Sequence, residues 1–206
     1  MRPLTAFEAE VSAAILAFAE VRRWEFAACL ETPDGPLIEL RTLMLSDAAD
    51  PSESVMQSVS QGAAVIVHHN HLSQESLSDA DWNGVTNLFC EIFAHCADGT
   101  VYWGRATDRA AITSALARPS LELDATNLLF RLIWNDPDSS SIATFFRKEV
   151  INRAMRIRGM VEYEYVWGSA AVPPCGPNAM GRPVHELGAR FDPALDRAAG
   201  DLAKTF

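Results

Sequence analysis

The chain has 206 residues, 49% hydrophobic and 21% charged, a size and composition that suit one domain, or one domain with an appendage, around a sizeable core. Its net charge of −10 is lopsided: residues 1–100 hold 4 Lys+Arg against 15 Asp+Glu, and residues 101–206 hold 13 against 12. An acidic front half argues against a general nucleic-acid platform, which needs clustered cations, and no run approaches the ~18 apolar residues of a membrane span.

Thr5 and Glu8 have the spacing of a capping box and predict a helix that turns Phe7, Val11, Ile15 and Phe18 to the core. Residues 24–30 read as a strand, Thr32, Pro33, Asp34 and Gly35 as a turn, and residues 36–45 as the hairpin partner. Pro51 sits where a second helix would begin, running to about Gln61. A strand over 63–69 and a polar loop over 70–77 follow. Ser78 then reads as an N-cap with Asp81 in the first turn, opening a helix that carries Trp82, Val85, Leu88, Phe89, Ile92 and Phe93 inward. Asp98 and Gly99 mark a turn before a strand over 100–106. Helices before and after such strands describe an α/β sandwich around a mixed central sheet.

Beyond residue 107 the pattern changes. Residues 121–134 read as a helix capped by Ser120, residues 135–138 break it, and residues 142–158 read as another helix. Its basic cluster Arg147, Lys148, Arg153, Arg156 and Arg158 is expected to be a solvated face. A strand over 161–167 alternates Glu162 and Glu164 with Tyr163, Tyr165 and Trp167, whose common face is expected to pack. From Val172 onward Pro173, Pro174, Gly176, Pro177, Gly181 and Pro183 describe an irregular tail, closed by a short helix over 193–204. The chain divides into a first domain over 1–118 and a helical C-terminal extension over 119–206. Cys29 falls in a predicted strand and Cys90 and Cys96 in a predicted helix; with Cys175 they show no paired spacing. Free thiols and the lack of a signal-peptide pattern give a cytoplasmic location as the simplest expectation.

The apolar run Val65, Ile66 and Val67 ends in His68, His69, Asn70 and His71. On a strand, residues i and i+2 share a face, so His69 and His71 are placed to grip one metal ion together. Asp81, from a separate element, would be a third ligand, leaving a fourth tetrahedral position open as catalytic zinc sites do. His68 would face the other way, as a core or supporting residue. His95 and His185 lack ligand spacing and read as structural. Ser78 and Asp81 also have a plain structural explanation as N-cap and first-turn acid.

The segment over residues 25–105 resembles the JAB/MPN (JAMM) metalloprotease family in its bacterial and phage branches. The resemblance rests on His69, Asn70 and His71, then Ser78, then Asp81, with Glu25 as the upstream glutamate, and on Asp98, Gly99, Thr100, Val101 and Tyr102 downstream. Two positions depart from the family: Leu72 stands where a proline is usual, and nine residues rather than ten separate His71 from Asp81. The resemblance implies a cytidine-deaminase-like α/β fold and Zn²⁺ held by His69, His71 and Asp81. It further implies Glu25 as proton acceptor and donor, Ser78 as hydrogen-bond donor to the tetrahedral oxyanion, and a peptide or isopeptide substrate, with ubiquitin-like tails among the candidates. Glu31 and Glu39 flank the same hairpin and rival Glu25 for its role. A non-catalytic scaffold and a DNA-processing accessory stand as alternative functions. An HNH nuclease is excluded, because the residues of that motif are spread along a ββα hairpin rather than contiguous. No membrane partner is expected, and nothing in the sequence sets an oligomeric state.

Overall fold

Six strands pair into one mixed sheet in a computed structural model that describes residues 1–32, 34–172, 174 and 182–206. The strands are β1 (Ala27–Leu30), β2 (Leu37–Arg41), β3 (Val65–Asn70), β4 (Phe89–His95), β5 (Val101–Ala106) and β6 (Val161–Val166), in the order β2-β1-β3-β4-β5-β6. Only β3 and β4 run parallel; every other neighbouring pair is antiparallel. The helices are α1 (Ala6–Arg22), α2 (Glu53–Ser60), α3 (Asp79–Asn87), α4 (Arg109–Leu116), α5 (Leu121–Ile133), α6 (Ser139–Phe145), α7 (Arg147–Ile157) and α8 (Val184–Ala203). The chain is α/β with a mixed sheet flanked by helices, and among the described residues no helix is long and apolar enough to cross a membrane.

The two sheet faces are built differently. Val65 and Val67 of β3 join a large apolar cluster that includes Val55, Trp82, Ile112 and residues of α5, α7 and α8. Ile66 of β3, Phe93 and Trp103 form a small second cluster on the other face, under the N-terminal arm. The sheet and the main core both continue past residue 118: β6 pairs with β5 over six residues, and buried side chains from both halves share one cluster.

Several local expectations need correction. The capping box of Thr5 and Glu8 forms, but the buried stripe of α1 is Glu8, Ser12, Ile15 and Ala19, with Phe18 half exposed. Glu8 takes a buried place there, where it faces the ring of His68 on the sheet opposite. Residues 89–95 are strand, not a continuation of α3, so Phe89, Ile92 and Phe93 reach the core from β4, which also carries Cys90. Apolar residues over this run fit a helical stripe and a strand buried on both faces equally well, and sheet pairing with β3 decides it. Pro51 stands outside α2, whose N-cap is Ser52. The helix expected over 142–158 is broken at Phe146, where α6 ends and α7 begins, with Phe145 and Phe146 both buried. The last helix starts at Val184 and runs through Pro193, since Leu187, Leu195, Ala199 and Leu202 give it a buried stripe longer than proline alone interrupts.

The basic cluster is a solvated face only in part: Arg156 and Arg158 are exposed, but the other three are not. Arg153 is fully buried and paired with Glu149, Asp192 and Asp196, while Arg147 and Lys148 pair with Glu75. Tyr163 is buried, and Tyr165 and Trp167 pack against the core, as their alternation suggests. Cys29 and Cys96 are buried free thiols and Cys90 is partly buried; Cys175 and most of the expected irregular tail lie outside the described residues.

Candidate metal centre

β3 and α3 are joined by residues 71–78, which cross from the end of the strand to the first turn of the helix. His69 is on β3; His71 lies just past it, with its backbone N–H donating to the His95 carbonyl at 3.0 Å. Ser78 caps α3, and Asp81 completes a capping box with it. The nine-residue spacing therefore delivers Asp81 to both histidines: His69 Nε2 lies 3.1 Å from Asp81 Oδ1, and His71 Nε2 lies 3.5 Å from Oδ2. The two ring nitrogens face each other at 2.8 Å. All three donor groups lie within 4.8 Å of one another, the one such group of three among the described residues.

These residues could hold a metal ion. Ligands ~2.0–2.1 Å from zinc sit roughly 3.3 Å apart. The 3.1 and 3.5 Å contacts, one to each Asp81 oxygen, are of this size, and the nitrogen pair would open by about half an ångström. Facing nitrogens at 2.8 Å require a proton or a cation between them, because two lone pairs repel. His71 Nδ1–H donates to the Glu75 carbonyl at 2.8 Å, which leaves Nε2 as the lone-pair nitrogen facing the cluster. His69 Nδ1 is buried without a hydrogen-bond partner among the described residues, so only its Nε2 side is oriented by polar contacts.

Electrostatics reinforce the geometry. Burial opposes charge on His71, but the Asp81 carboxylate and Glu25 outweigh it and push its pKa up to about 9. Burial would also raise Asp81, yet the rings of His69 and His71 hold it well below the usual carboxylate range. Glu25 is pushed up, chiefly by burial; His69 and His71 work against this shift, and Asp81 adds to it. A site that stabilises a proton on His71 this strongly is a site that favours a cation.

Glu25 is not on a regular strand, since β1 begins two residues later. Its backbone N–H donates to Leu45 O at 2.7 Å. Asn70 holds the peptides on either side: its Oδ1 accepts from Phe26 N–H at 2.8 Å and its Nδ2 donates to Trp24 O at 3.3 Å. The residue between the two histidines thus fixes the backbone of the glutamate. Of the rivals, Glu39 accepts from Ser52 N–H at 2.9 Å and Glu31 is exposed in the turn after β1. Ser78 donates its hydroxyl proton to Asp81 Oδ2 at 2.7 Å, and its backbone N–H donates to the same oxygen at 2.6 Å. In this arrangement Ser78 orients the carboxylate instead of offering a free donor.

His68, His95 and Asp98 lie elsewhere. His68 and His95 are buried on the opposite face, joined Nδ1 to Nε2 at 3.0 Å, and His68 Nε2 faces Glu8 at 3.2 Å. Asp98 accepts from the Thr100 N–H and hydroxyl, both at 2.9 Å, which closes the turn before β5. Sequence reasoning passed over Asn70, Glu75 and Asn152 as contributors. Only the placement of Asn70 between the two histidines gave any signal; the others contact the site from loops and helices whose partners are distant in sequence. No family model, curated protein or solved structure gives a significant match to this chain.

Proposed function

We propose that the chain is a zinc-dependent metallopeptidase or isopeptidase of the JAB/MPN (JAMM) type. The observation that carries this reading is the convergence of His69 Nε2, His71 Nε2 and the Asp81 carboxylate on one point, with Glu25 in their electrostatic field. His69, His71 and Asp81 would hold the ion. Zn²⁺ bound there supplies Lewis acidity, polarising a carbonyl and lowering the pKa of a water to about 7.

The remaining work belongs to the chain. Glu25, raised by burial, accepts a proton at its carboxylate and returns it to the leaving amine; a carboxyl pushed towards neutrality is suited to both directions. Asn70 keeps that carboxylate's backbone in register with the ligands. Glu75 O fixes the His71 tautomer, and Ser78 fixes the Asp81 carboxylate. The substrate would be a protein or peptide, and the cytoplasm is the compartment its free thiols suit. A DNA-processing role is weakened because Arg147, Lys148 and Arg153 of the basic cluster are spent on internal carboxylates, leaving Arg156 and Arg158 as its exposed cations.

Elemental analysis tests the centre. About one zinc per chain is expected in the wild type and none in His71→Ala or Asp81→Ala. Given zinc, hydrolysis of a peptide and isopeptide panel by wild type but not by zinc-loaded Glu25→Gln would support the enzyme. Zinc without hydrolysis would favour a binding module, and no zinc after reconstitution at neutral pH would remove the centre.

A further inference from the structure

The loop over residues 72–78 is gripped from outside by the C-terminal half. At its start Gln74, in the left-handed region at φ 58°, donates from Nε2 to Val172 O at 3.0 Å, while its carbonyl accepts from the Tyr102 hydroxyl at 3.1 Å. A side-chain-bearing residue stays at that φ only where its surroundings hold it. In the middle, Glu75 is buried and its carboxylate takes Arg147 at 3.0 Å and Lys148 at 3.2 Å, both from the first turn of α7. One turn further along α7, Asn152 donates to Ser76 Oγ at 2.8 Å and to Leu77 O at 2.9 Å, and accepts from Trp82 Nε1–H at 2.7 Å. Lys148 and Asn152 are four residues apart and so share a helix face. Tyr163 of β6 adds a hydroxyl contact to Ser76 Oγ at 2.7 Å and is itself bonded to Glu149 of α7.

These contacts bracket the ligands. Glu75, gripped by its side chain, supplies the carbonyl that accepts from His71 Nδ1. Leu77 and Trp82, gripped by Asn152, stand on either side of Ser78 and Asp81. We propose that α7, with β6 and Val172, forms a clamp that sets the distance between His71 and Asp81, with Asn152, Arg147 and Lys148 as positioning residues for the metal centre. The inference rests on the metal-centre reading, and it gives the C-terminal half a role inside the site. The loop's own bonds are completed from outside: Gln74 is held against its backbone preference, and Glu75 takes its cations from α7.

The test is zinc affinity of the full chain, measured by chelator competition, with the visible d–d absorption of the Co²⁺-loaded protein as a coordination signature. Asn152→Ala is expected to weaken zinc about 10- to 100-fold and to change the Co²⁺ bands. Leu195→Ala, which removes a buried apolar side chain of α8 and none of the hydrogen bonds to the loop, is expected to lower Tm while leaving both readouts unchanged. If Asn152→Ala does not fold, the partly exposed pair Arg147→Met/Lys148→Met decides, with an expected weakening of about 10-fold. Wild-type zinc affinity in the folded clamp variants, or equal weakening in Leu195→Ala, would overturn the clamp while leaving the centre intact. A wild type that binds no zinc would overturn both.

Discussion

The strand β3 separates two histidine pairs that are built from the same residue types and do opposite things. On one face His69 and His71 turn both Nε2 atoms to one point and share Asp81. On the other, His68 spends its two nitrogens on different partners, His95 and Glu8, so the groups stand in series with no common point. Glu8 is held well below the usual carboxylate range: burial opposes ionisation, but bonds from Arg2 and His68 outweigh it. An ionised Glu8 makes His68 Nε2–H the donor, leaving His68 Nδ1 to accept from His95 Nε2–H. Burial pushes His95 down to about 3, with His68 reinforcing it, whereas His71 rises to about 9. Convergence makes a candidate cation site; a series makes a hydrogen-bonded relay that ties α1 to the sheet.

The sharpest way to break this comparison is to exchange which pair is damaged. His71→Ala is expected to abolish zinc binding, and His95→Ala to retain about one zinc per chain while lowering stability, as read by elemental analysis and urea denaturation. The next largest effect falls on Glu8→Ala, which leaves His68 and a partly buried Arg2 without their carboxylate. A loss of about 3 kcal/mol is expected, because removing one member of a buried pair strands the other.

The pH dependence separates the pairs by sign. His95 is neutral in the fold to about pH 3, whereas an unfolded histidine titrates at about 6.5. Between these values the unfolded chain binds the extra proton, so this contribution is present above about pH 6.5 and is lost as pH falls towards 3. His71 in the metal-free protein does the reverse: its contribution is present below about 6.5 and is lost as pH rises through about 9. Thermal melts of the metal-free protein should therefore show a flatter acid limb in His95→Gln and a flatter alkaline limb in His71→Gln. The smallest expected effect is Gly104→Ala on β5. A Cβ there would lie 2.6 Å from the Trp82 ring and 2.8 Å from a Leu77 methyl. Since Trp82 is buried and tied to Asn152, a loss of about 1–3 kcal/mol and weaker zinc retention are expected, with the His68 relay untouched.

Legibility differed by the range of the interactions involved. The ring spacing of His69 and His71, the Ser78 cap and the first-turn Asp81 were all readable, because strand alternation and helix capping act over two to four residues. The hairpin, the strand over β3 and the final strand were readable for the same reason. Residues 89–95 were not, because their apolar pattern fits two periods and only pairing with β3 selects one. The basic run on α7 misled because charge spacing describes a helix and not what packs on it.

The sequence by itself determined the local chemistry: which side chains stand on one face of β3, where α3 starts, and that a carboxylate enters its first turn. Tertiary structure alone decided that Glu25 stands in the field of the histidines, that burial disfavours charge on His68 while His71 favours it, and that Asn152 reaches Trp82 across seventy residues of chain. The physical reason is that capping and alternation are set by neighbours along the backbone. Burial, tautomer and ion pairing depend on which polar groups the fold brings together, and a local pattern carries no record of partners that arrive from elsewhere in the chain.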